Sequence, residues 1–256
     1  MARYGTLKPT AWGPFMPAHN PTSHRGPWYY RQTEMVMMQW ETDIDAVAPL
    51  IPEGIEIIEP AIAFMVMEQN HYSTLGPYGE VYLGIMVMWG GQPHAYLPGV
   101  YVTGENSQVV GREVYGFGKR RMHRFEIAKH GNGDVEVIME INPGVRALHA
   151  TMKPQTNEPA DALGETPLIG LKIIPSIEDT TVPALAELTS VTFKAAPVIG
   201  SDGKPEIYSG PGYIAMDVPS DVNVPVGQML GCFYAKFDAD LPYGKVLKAY
   251  TAEDFQ

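Results

Sequence analysis

The apolar residues of this chain fall into short runs that are rich in β-branched, aromatic and methionine side chains. Gly, Pro, Asn or Asp residues lie between the runs and supply the backbone angles that turns require. The runs are Met35–Trp40, Ala61–Met67, Val81–Trp89, Val135–Ile141, Val145–Met152, Leu168–Ile174 and Ala186–Phe193. This pattern predicts a mainly β fold (α+β with few helices) whose strands form antiparallel sheets.

Helical signals are few. Asp43–Leu50 begins with an acidic residue suited to an N-cap and is followed by Pro52 and Gly54, which favours a short helix. The segment Val226–Cys232 could form a second helix before an apolar strand, Phe233–Phe237.

A length of 256 residues is compatible with one large, mainly β domain. The stretch Pro154–Pro167 is rich in Pro, Asn, Asp and Glu and predicts a loop. Strands of the same character are predicted on both sides of this loop, so it does not mark a domain boundary. We expect a single domain over residues 1–256, with residues 1–24 forming an extended N-terminal arm.

The formal net charge of −11 argues against nucleic acid or an anionic membrane as a partner, because both are bound mainly by clustered Lys and Arg. Cys232 is the only cysteine, so no internal disulfide can form. The first 20 residues contain no continuous apolar stretch, which argues against a secretory signal or membrane span. We therefore expect a cytoplasmic protein. The histidines lack the spacing typical of a metal site, and we expect no metal.

One segment, Val110–Arg121, combines three glycines with Lys119, which is followed directly by Arg120. Glycine permits tight backbone geometry. An amine is nucleophilic only when it is neutral, and apolar burial or a neighbouring fixed cation disfavours the ammonium form. Lys119 is therefore a candidate nucleophile. Adjacent basic residues are also common at solvated strand ends, and the spacing alone leaves that interpretation open.

Gly111-Arg112-Glu113 followed by Gly118-Lys119-Arg120 resembles the signature of the acetoacetate decarboxylase-like superfamily. There, Gly-Arg-Glu precedes an aromatic-Pro-Lys-Lys segment whose first lysine forms an imine, and acetoacetate decarboxylase is a standard example of an activated lysine. Further similar segments follow in order: Arg25–Pro27, Thr42–Ala46, Pro52–Ile57, Leu75–Glu80, Leu171–Pro175 and Asp221–Val226. The resemblance implies barrel-like or cone-shaped antiparallel sheets, a homo-oligomer and no cofactor.

By this resemblance, Lys119 is the imine-forming lysine, Arg120 the cation beside it, and Glu80 the carboxylate of a Tyr-x-Glu segment. Arg120 is expected to disfavour protonation of Lys119, and Glu80 to position the substrate or transfer protons. Without the resemblance, Glu80 would be interpreted as an exposed carboxylate at a hairpin end. Further candidate substrate-binding residues are Arg31, Tyr78, Phe117, Met65, Met86 and Tyr243.

The chain departs from the decarboxylase pattern at two site positions. Thr33 stands where the family has an active-site arginine, and Met65 stands where it has a second glutamate. Arg31 could replace the arginine, because residues two positions apart on a regular strand share a face. These two changes leave the imine-forming lysine in place, but they leave open which reaction follows imine formation.

Three functions are compatible with these residues. In the first, Lys119 decarboxylates acetoacetate or a related β-keto acid through an imine. In the second, the same lysine binds pyruvate, whose enamine condenses with an aldehyde co-substrate before water is lost. The third is a non-catalytic β-barrel that binds a small ligand, which would require Lys119 to be exposed and protonated.

Overall fold

The computed structural model describes residues 3–216 and 224–255. Two α-helices are present in these ranges, α1 (Ile44–Val47) and α2 (Glu105–Glu113). Short 3₁₀ turns occur at Pro9–Ala11, Ala48–Leu50, Ala160–Leu163 and Ala252–Phe255. The strands are β1 (Trp28–Glu41), β2 (Glu56–Ile57), β3 (Ile62–Ser73), β4 (Tyr78–Trp89), β5 (Gln92–Val102), β6 (Lys119–Arg121), β7 (Arg124–Lys129), β8 (Val135–Asn142), β9 (Val145–Met152), β10 (Thr156–Asn157), β11 (Leu168–Pro175), β12 (Pro183–Val191), β13 (Lys194–Pro197), β14 (Ile207–Ser209), β15 (Gly212–Met216), β16 (Met229–Leu241) and β17 (Lys245–Ala249).

The predicted mainly β fold is confirmed. The seven apolar runs correspond to β1, β3, β4, β8, β9, β11 and β12. The short helix at Asp43 is also confirmed, because the Asp43 side chain accepts a hydrogen bond from the backbone N–H of Asp45 and caps α1.

The helix predicted at Val226–Cys232 is wrong, because β16 begins at Met229 and pairs with β1 along its length. Helix α2, which carries Gly111 and Arg112, was not predicted. Of the similar segment Asp221–Val226, residues 221–223 lie outside the described residues.

The strands form two sheets. The large sheet follows the order β10-β14-β16-β1-β3-β4-β5-β11-β12-β17, and β2, β6 and β13 pair beside this path. A four-stranded sheet has the order β15-β9-β8-β7. The large sheet is mixed and not wholly antiparallel, because β6 and β11 each return to pair parallel with β5. Over the described strands its order is an open path, and no closed barrel is found.

Successive side chains of the central strands point to opposite faces of the sheet, so the apolar residues form two separate cores. On one face, Met38, Met65 and Met67 are fully buried in a cluster that includes Val137 and Met139 of the small sheet. On the other face a second cluster contains Phe64, Val66, Tyr78 and Phe117, together with Phe15 from the segment before β1. The second face carries the cavity described below. No helix within residues 3–216 and 224–255 is long and apolar enough to cross a membrane.

Candidate active site

Lys119 is a buried lysine at the start of β6, with 6% of its surface exposed. Its Nζ donates to Ser107 Oγ at 2.9 Å and lies 2.8 Å from Glu80 Oε1. The amine also lies 5.7 Å from the centre of the Tyr78 ring. Removing an ammonium and a carboxylate from water is costly, and their direct contact offsets part of that cost.

Two glycines allow the chain to place Lys119 here. Gly111 in α2 faces the lysine stem, and a Cβ at Gly111 would lie 2.4 Å from Lys119 Cδ and 2.5 Å from Cε. Gly116 has a φ of +70°, and a Cβ there would lie 2.4 Å from the backbone N of Lys172. Only glycine fits such a close approach without displacing a neighbour. The spacing of the glycines around Lys119 therefore has a geometric cause.

Glu68 on β3 lies directly opposite Glu80 on β4, and both line the same cavity. Burial first, and then the charge of Glu80, raises the pKa of Glu68 to about 8, although Lys119 partly opposes this shift. Two carboxylates at facing positions of neighbouring strands are too close to ionise together cheaply. At neutral pH, Glu68 is therefore a neutral carboxylic acid that can donate a hydrogen bond.

The cavity has a volume of about 340 Å³. Alternate residues of β1, β3, β4 and β16 form its walls, and α2, the segment before Lys119 and the turn at Ala162–Thr166 complete it. Apart from the polar group around Lys119, the strand-borne lining is largely apolar and includes Met35, Met37, Phe64, Val66, Met86, Leu97, Phe237, Ala239 and Leu241. Such a mainly apolar pocket with a few convergent polar groups is the usual form of a small-molecule site.

Four tyrosines, Tyr30, Tyr78, Tyr82 and Tyr115, line the cavity with neutral phenols. Burial raises the pKa of each phenol above its ordinary value, so each remains protonated at neutral pH. The Tyr78 hydroxyl donates to that of Tyr30 at 3.3 Å. Among the described lining residues, Lys119 is the only lysine, arginine or histidine.

Five of the predicted site residues meet at this cavity. Lys119, Glu80, Tyr78, Phe117 and Met86 all line it. Glu80 is buried, so the interpretation of this residue as an exposed hairpin carboxylate is wrong.

Four predicted site residues lie elsewhere. Met65 is fully buried in the opposite core, because it alternates with Phe64 and Val66 along β3. Arg120 follows Lys119 on β6 and is exposed. Tyr243 is 59% exposed, and its hydroxyl donates to the Gly26 carbonyl.

The fourth residue, Arg31, does not substitute for the family's arginine, whose position Thr33 occupies in this chain. A bulge interrupts the pairing of β1 with β16 between Tyr30 and Thr33, and Gln32 has a positive φ of 56°. Tyr30 and Thr33 both line the cavity as a result. The Arg31 guanidinium instead pairs with Asp240 at 3.0 Å and Asp238 at 3.7 Å near the surface.

Sequence reasoning missed Glu68 and Ser107. The sequence did contain a signal for Glu68. It is an acidic residue within an apolar strand, two and four positions after Val66 and Phe64, so alternation places it on the same face as these residues. No comparable signal exists for Ser107, which approaches Lys119 only because α2 folds against β6. No group of three or more His, Cys, Asp or Glu residues in the described ranges is arranged to hold a metal ion.

Comparison with known proteins supports the relationship that the motifs suggest. The family model described as acetoacetate decarboxylase (ADC) matches residues 14–251. Acetoacetate decarboxylase 1 of Bradyrhizobium diazoefficiens is 27% identical over 247 residues, which cover 93% of this chain and 94% of the relative. Acetoacetate decarboxylase of Clostridium acetobutylicum is 34% identical over 104 residues, 41% of this chain and 43% of that enzyme.

Solved structures share the fold. Acetoacetate decarboxylase from Legionella pneumophila superposes with a TM-score of 0.83 at 20% identity and covers 98% of each chain. The enduracididine biosynthesis enzyme MppR complexed with pyruvate superposes with a TM-score of 0.74 at 18% identity, over 93% of this chain and 98% of MppR. The family match spans nearly the whole sequence and the fold agrees with it, so this chain belongs to the acetoacetate decarboxylase family.

Proposed function

We propose that this protein is a lyase that decarboxylates a small β-keto acid through an imine on Lys119. The observation that carries the proposal is the buried Lys119–Glu80 pair, 2.8 Å apart, at the wall of a largely apolar cavity. Membership of the acetoacetate decarboxylase family supports the same chemistry. No cofactor is required, because the protonated imine itself accepts electrons.

The first step is a proton transfer within the pair. A substrate that fills the cavity displaces water, and this disfavours separated charges on Lys119 and Glu80. The proton moves from Nζ to the Glu80 carboxylate and leaves a neutral amine. The amine attacks the ketone carbon, and Glu80 returns the proton to the departing hydroxyl as water leaves. The product is a protonated imine.

In the second step the bond between the α-carbon and the carboxylate breaks. Its electron pair moves into the imine and forms an enamine, while the carboxylate leaves as carbon dioxide. Protonation of the enamine carbon regenerates the imine. Water then hydrolyses the imine, which releases the ketone and restores the Lys119 amine.

The neutral form of Glu68 allows the anionic substrate to bind. With Glu68 neutral, the charges of Lys119 and Glu80 cancel at the polar end of the cavity. If Glu68 ionised, this end would carry a net negative charge and repel a keto acid. A protonated Glu68 can instead donate a hydrogen bond to the substrate carboxylate. This donor would bind the substrate carboxylate in a chain that has Thr33 where the family has an arginine.

The alternative is a pyruvate-dependent aldolase-dehydratase. One observation favours it: MppR, which shares the fold, has been solved with pyruvate and with the condensation product of pyruvate and imidazole 4-carboxaldehyde. The Lys119 imine would serve both reactions, but pyruvate would keep its carboxylate. The non-catalytic barrel required an exposed lysine, and the burial of Lys119 argues against it.

Borohydride reduction of the protein with each ligand, followed by peptide mass analysis, tests the proposal. Acetoacetate should leave an isopropyl group on Lys119 Nζ after carbon dioxide is lost, with carbon dioxide release measured in the same sample. Pyruvate would leave a 1-carboxyethyl group if it forms an imine. Lys119→Ala should abolish the adduct, whereas Lys245→Ala, at an exposed lysine, should not. If neither acetoacetate nor a larger β-keto acid modifies Lys119 or releases carbon dioxide above the buffer rate, the decarboxylase proposal is wrong.

A further inference from the structure

The cavity continues well beyond the reacting groups. Across β3 and β4, Glu68 faces Glu80, the next lining pair is Val66 and Tyr82, and beyond it Phe64 lies opposite Gly84. Two residues along a strand advance about 6.8 Å, so Phe64 lies about 13 Å along β3 from Glu68. The polar group therefore occupies one part of an elongated space.

The walls of this extension are mainly apolar. We call it the apolar arm and define it by Met37, Phe64, Val66, Tyr82, Met86 and Leu97. Gln39, opposite Phe64 on β1, adds a polar amide at the far end of the arm. The two aromatic residues of the arm present ring faces and edges, and its methionines offer polarizable sulfur to an aromatic guest. A charged group placed here would lose its hydration and meet no side chain of opposite charge among these residues, whereas an apolar group would be stabilised.

A glycine keeps part of the arm open. A Cβ at Gly84 would lie 2.1 Å from Cζ of Phe64, so the Phe64 ring occupies the position that a side chain on β4 would take. The ring thus lies against the strand backbone and not across the cavity. Any larger residue at position 84 would push Phe64 into the arm.

The volume is larger than a four-carbon keto acid needs. An apolar protein cavity of about 150 Å³ holds benzene, a molecule of six carbons. The present cavity of about 340 Å³ is more than twice that size. It therefore has room for a keto-acid head at Lys119 together with a ring or chain of comparable size.

Building on the proposed function, we infer that the preferred substrate is a β-keto acid that carries an extended apolar substituent, an aryl group fitting best. The keto-acid head lies among Lys119, Glu80 and Glu68, and the substituent lies in the apolar arm. The chain thus uses the family's imine chemistry on a larger substrate than acetoacetate.

Carbon dioxide release from two acids with the same reacting head tests this inference: acetoacetate and 5-phenyl-3-oxopentanoate. One methylene in an apolar pocket changes kcat/KM by roughly 10- to 200-fold, so the phenyl acid should exceed acetoacetate by at least about 100-fold. Val66→Phe fills the arm and should reduce this ratio by about tenfold or more. Val246→Phe makes the same change at a 52% exposed position and should leave the ratio unaltered.

The outcomes separate the inference from the proposed function. If both acids are decarboxylated with similar kcat/KM, the inference is overturned while the lyase proposal stands. If neither ketone product, acetone or 4-phenylbutan-2-one, is trapped on Lys119 by borohydride, the lyase proposal itself fails. A Val66→Phe variant that does not fold is replaced by Val66→Leu, for which a smaller fall in the ratio is expected. A ratio unchanged in a folded variant at position 66 would also overturn the inference.

Discussion

Glu68 and Glu80 face each other on adjacent strands and share one cavity with Lys119. Lys119 lies 2.8 Å from Glu80, while burial and the charge of Glu80 raise the pKa of Glu68 to about 8. Glu80 is therefore the acid paired with the amine, and Glu68 is the acid that retains its proton. In the proposed mechanism, Glu80 exchanges a proton with the amine and Glu68 donates to the substrate.

The first prediction concerns the pH dependence of activity. We expect kcat/KM to fall as pH rises through about 8, because ionised Glu68 neither donates a hydrogen bond nor tolerates an anionic substrate. Glu68→Gln keeps a donor that cannot ionise, so the alkaline fall should disappear. The measurement is kcat/KM between pH 6 and 9.5 for the wild type, Glu68→Gln and Glu178→Gln, an exposed control. If kcat/KM of Glu68→Gln still falls at alkaline pH, the fall is due to the ionisation of another group.

The second prediction concerns stability. Glu68 has a higher pKa in the folded protein than its ordinary value of 4.5, so the folded state retains a proton that the unfolded state releases. Its contribution to folding therefore weakens as pH rises from about 4.5 to about 8 and is constant above that range. The slope is at most about 1.4 kcal/mol per pH unit, and water in the cavity reduces it.

Glu68→Gln removes this loss of folding stability at high pH, because glutamine does not ionise. Relative to the wild type, its free energy of unfolding should therefore improve by about 2 kcal/mol between pH 5 and pH 8.5. Urea denaturation at the two pH values measures the change, and Glu178→Gln should show none. A constant difference between Glu68→Gln and the wild type would mean that the Glu68 pKa is ordinary.

The third prediction tests the close approach of α2 to Lys119. Gly111→Ala places a methyl group where Lys119 Cδ and Cε lie, so the amine must move away from Glu80 and Ser107. We expect kcat to fall by about 100-fold, because a displacement of about 1 Å can have this effect, while the protein stays folded. Gly118→Ala is the matched control, since its new methyl group meets no atom closer than 3.8 Å. Equal activities of the two variants would contradict this account of Gly111.

The fourth prediction separates Arg31 from Thr33. Arg31→Ala removes exposed ion pairs with Asp238 and Asp240, so stability should fall by less than about 1 kcal/mol, with kcat/KM within about twofold of the wild type. Thr33→Val removes a buried hydroxyl that donates to Asn70 Oδ1 at 2.9 Å, which should cost about 1–2 kcal/mol. It should also lower kcat/KM, because Thr33 and Asn70 both line the cavity. Activity assays and urea denaturation of both variants provide the comparison. If Arg31→Ala loses more activity than Thr33→Val, Arg31 belongs to the site after all.

The sequence by itself determined the main apolar strands, the short helix at Asp43, the family and two side chains that line the cavity, Lys119 and Glu80. These features are local, because alternation, turn residues and motif spacing all act over a few positions. The glycines before Lys119 also indicated tight backbone geometry, and Gly116 has a positive φ of 70°.

Only the tertiary structure decided which side chains meet the lysine. Glu68 joins the site because β3 pairs with β4 in a register that places it opposite Glu80, and Ser107 joins it because α2 packs beside β6. Arg31 leaves the site because a bulge at Gln32 breaks the two-residue alternation on which its assignment depended. Register and bulges depend on a second strand: Glu68 faces a residue of β4, and the bulge at Gln32 forms against β16, where Asp238 lies 206 positions away in sequence. A pattern read along one strand therefore does not contain them.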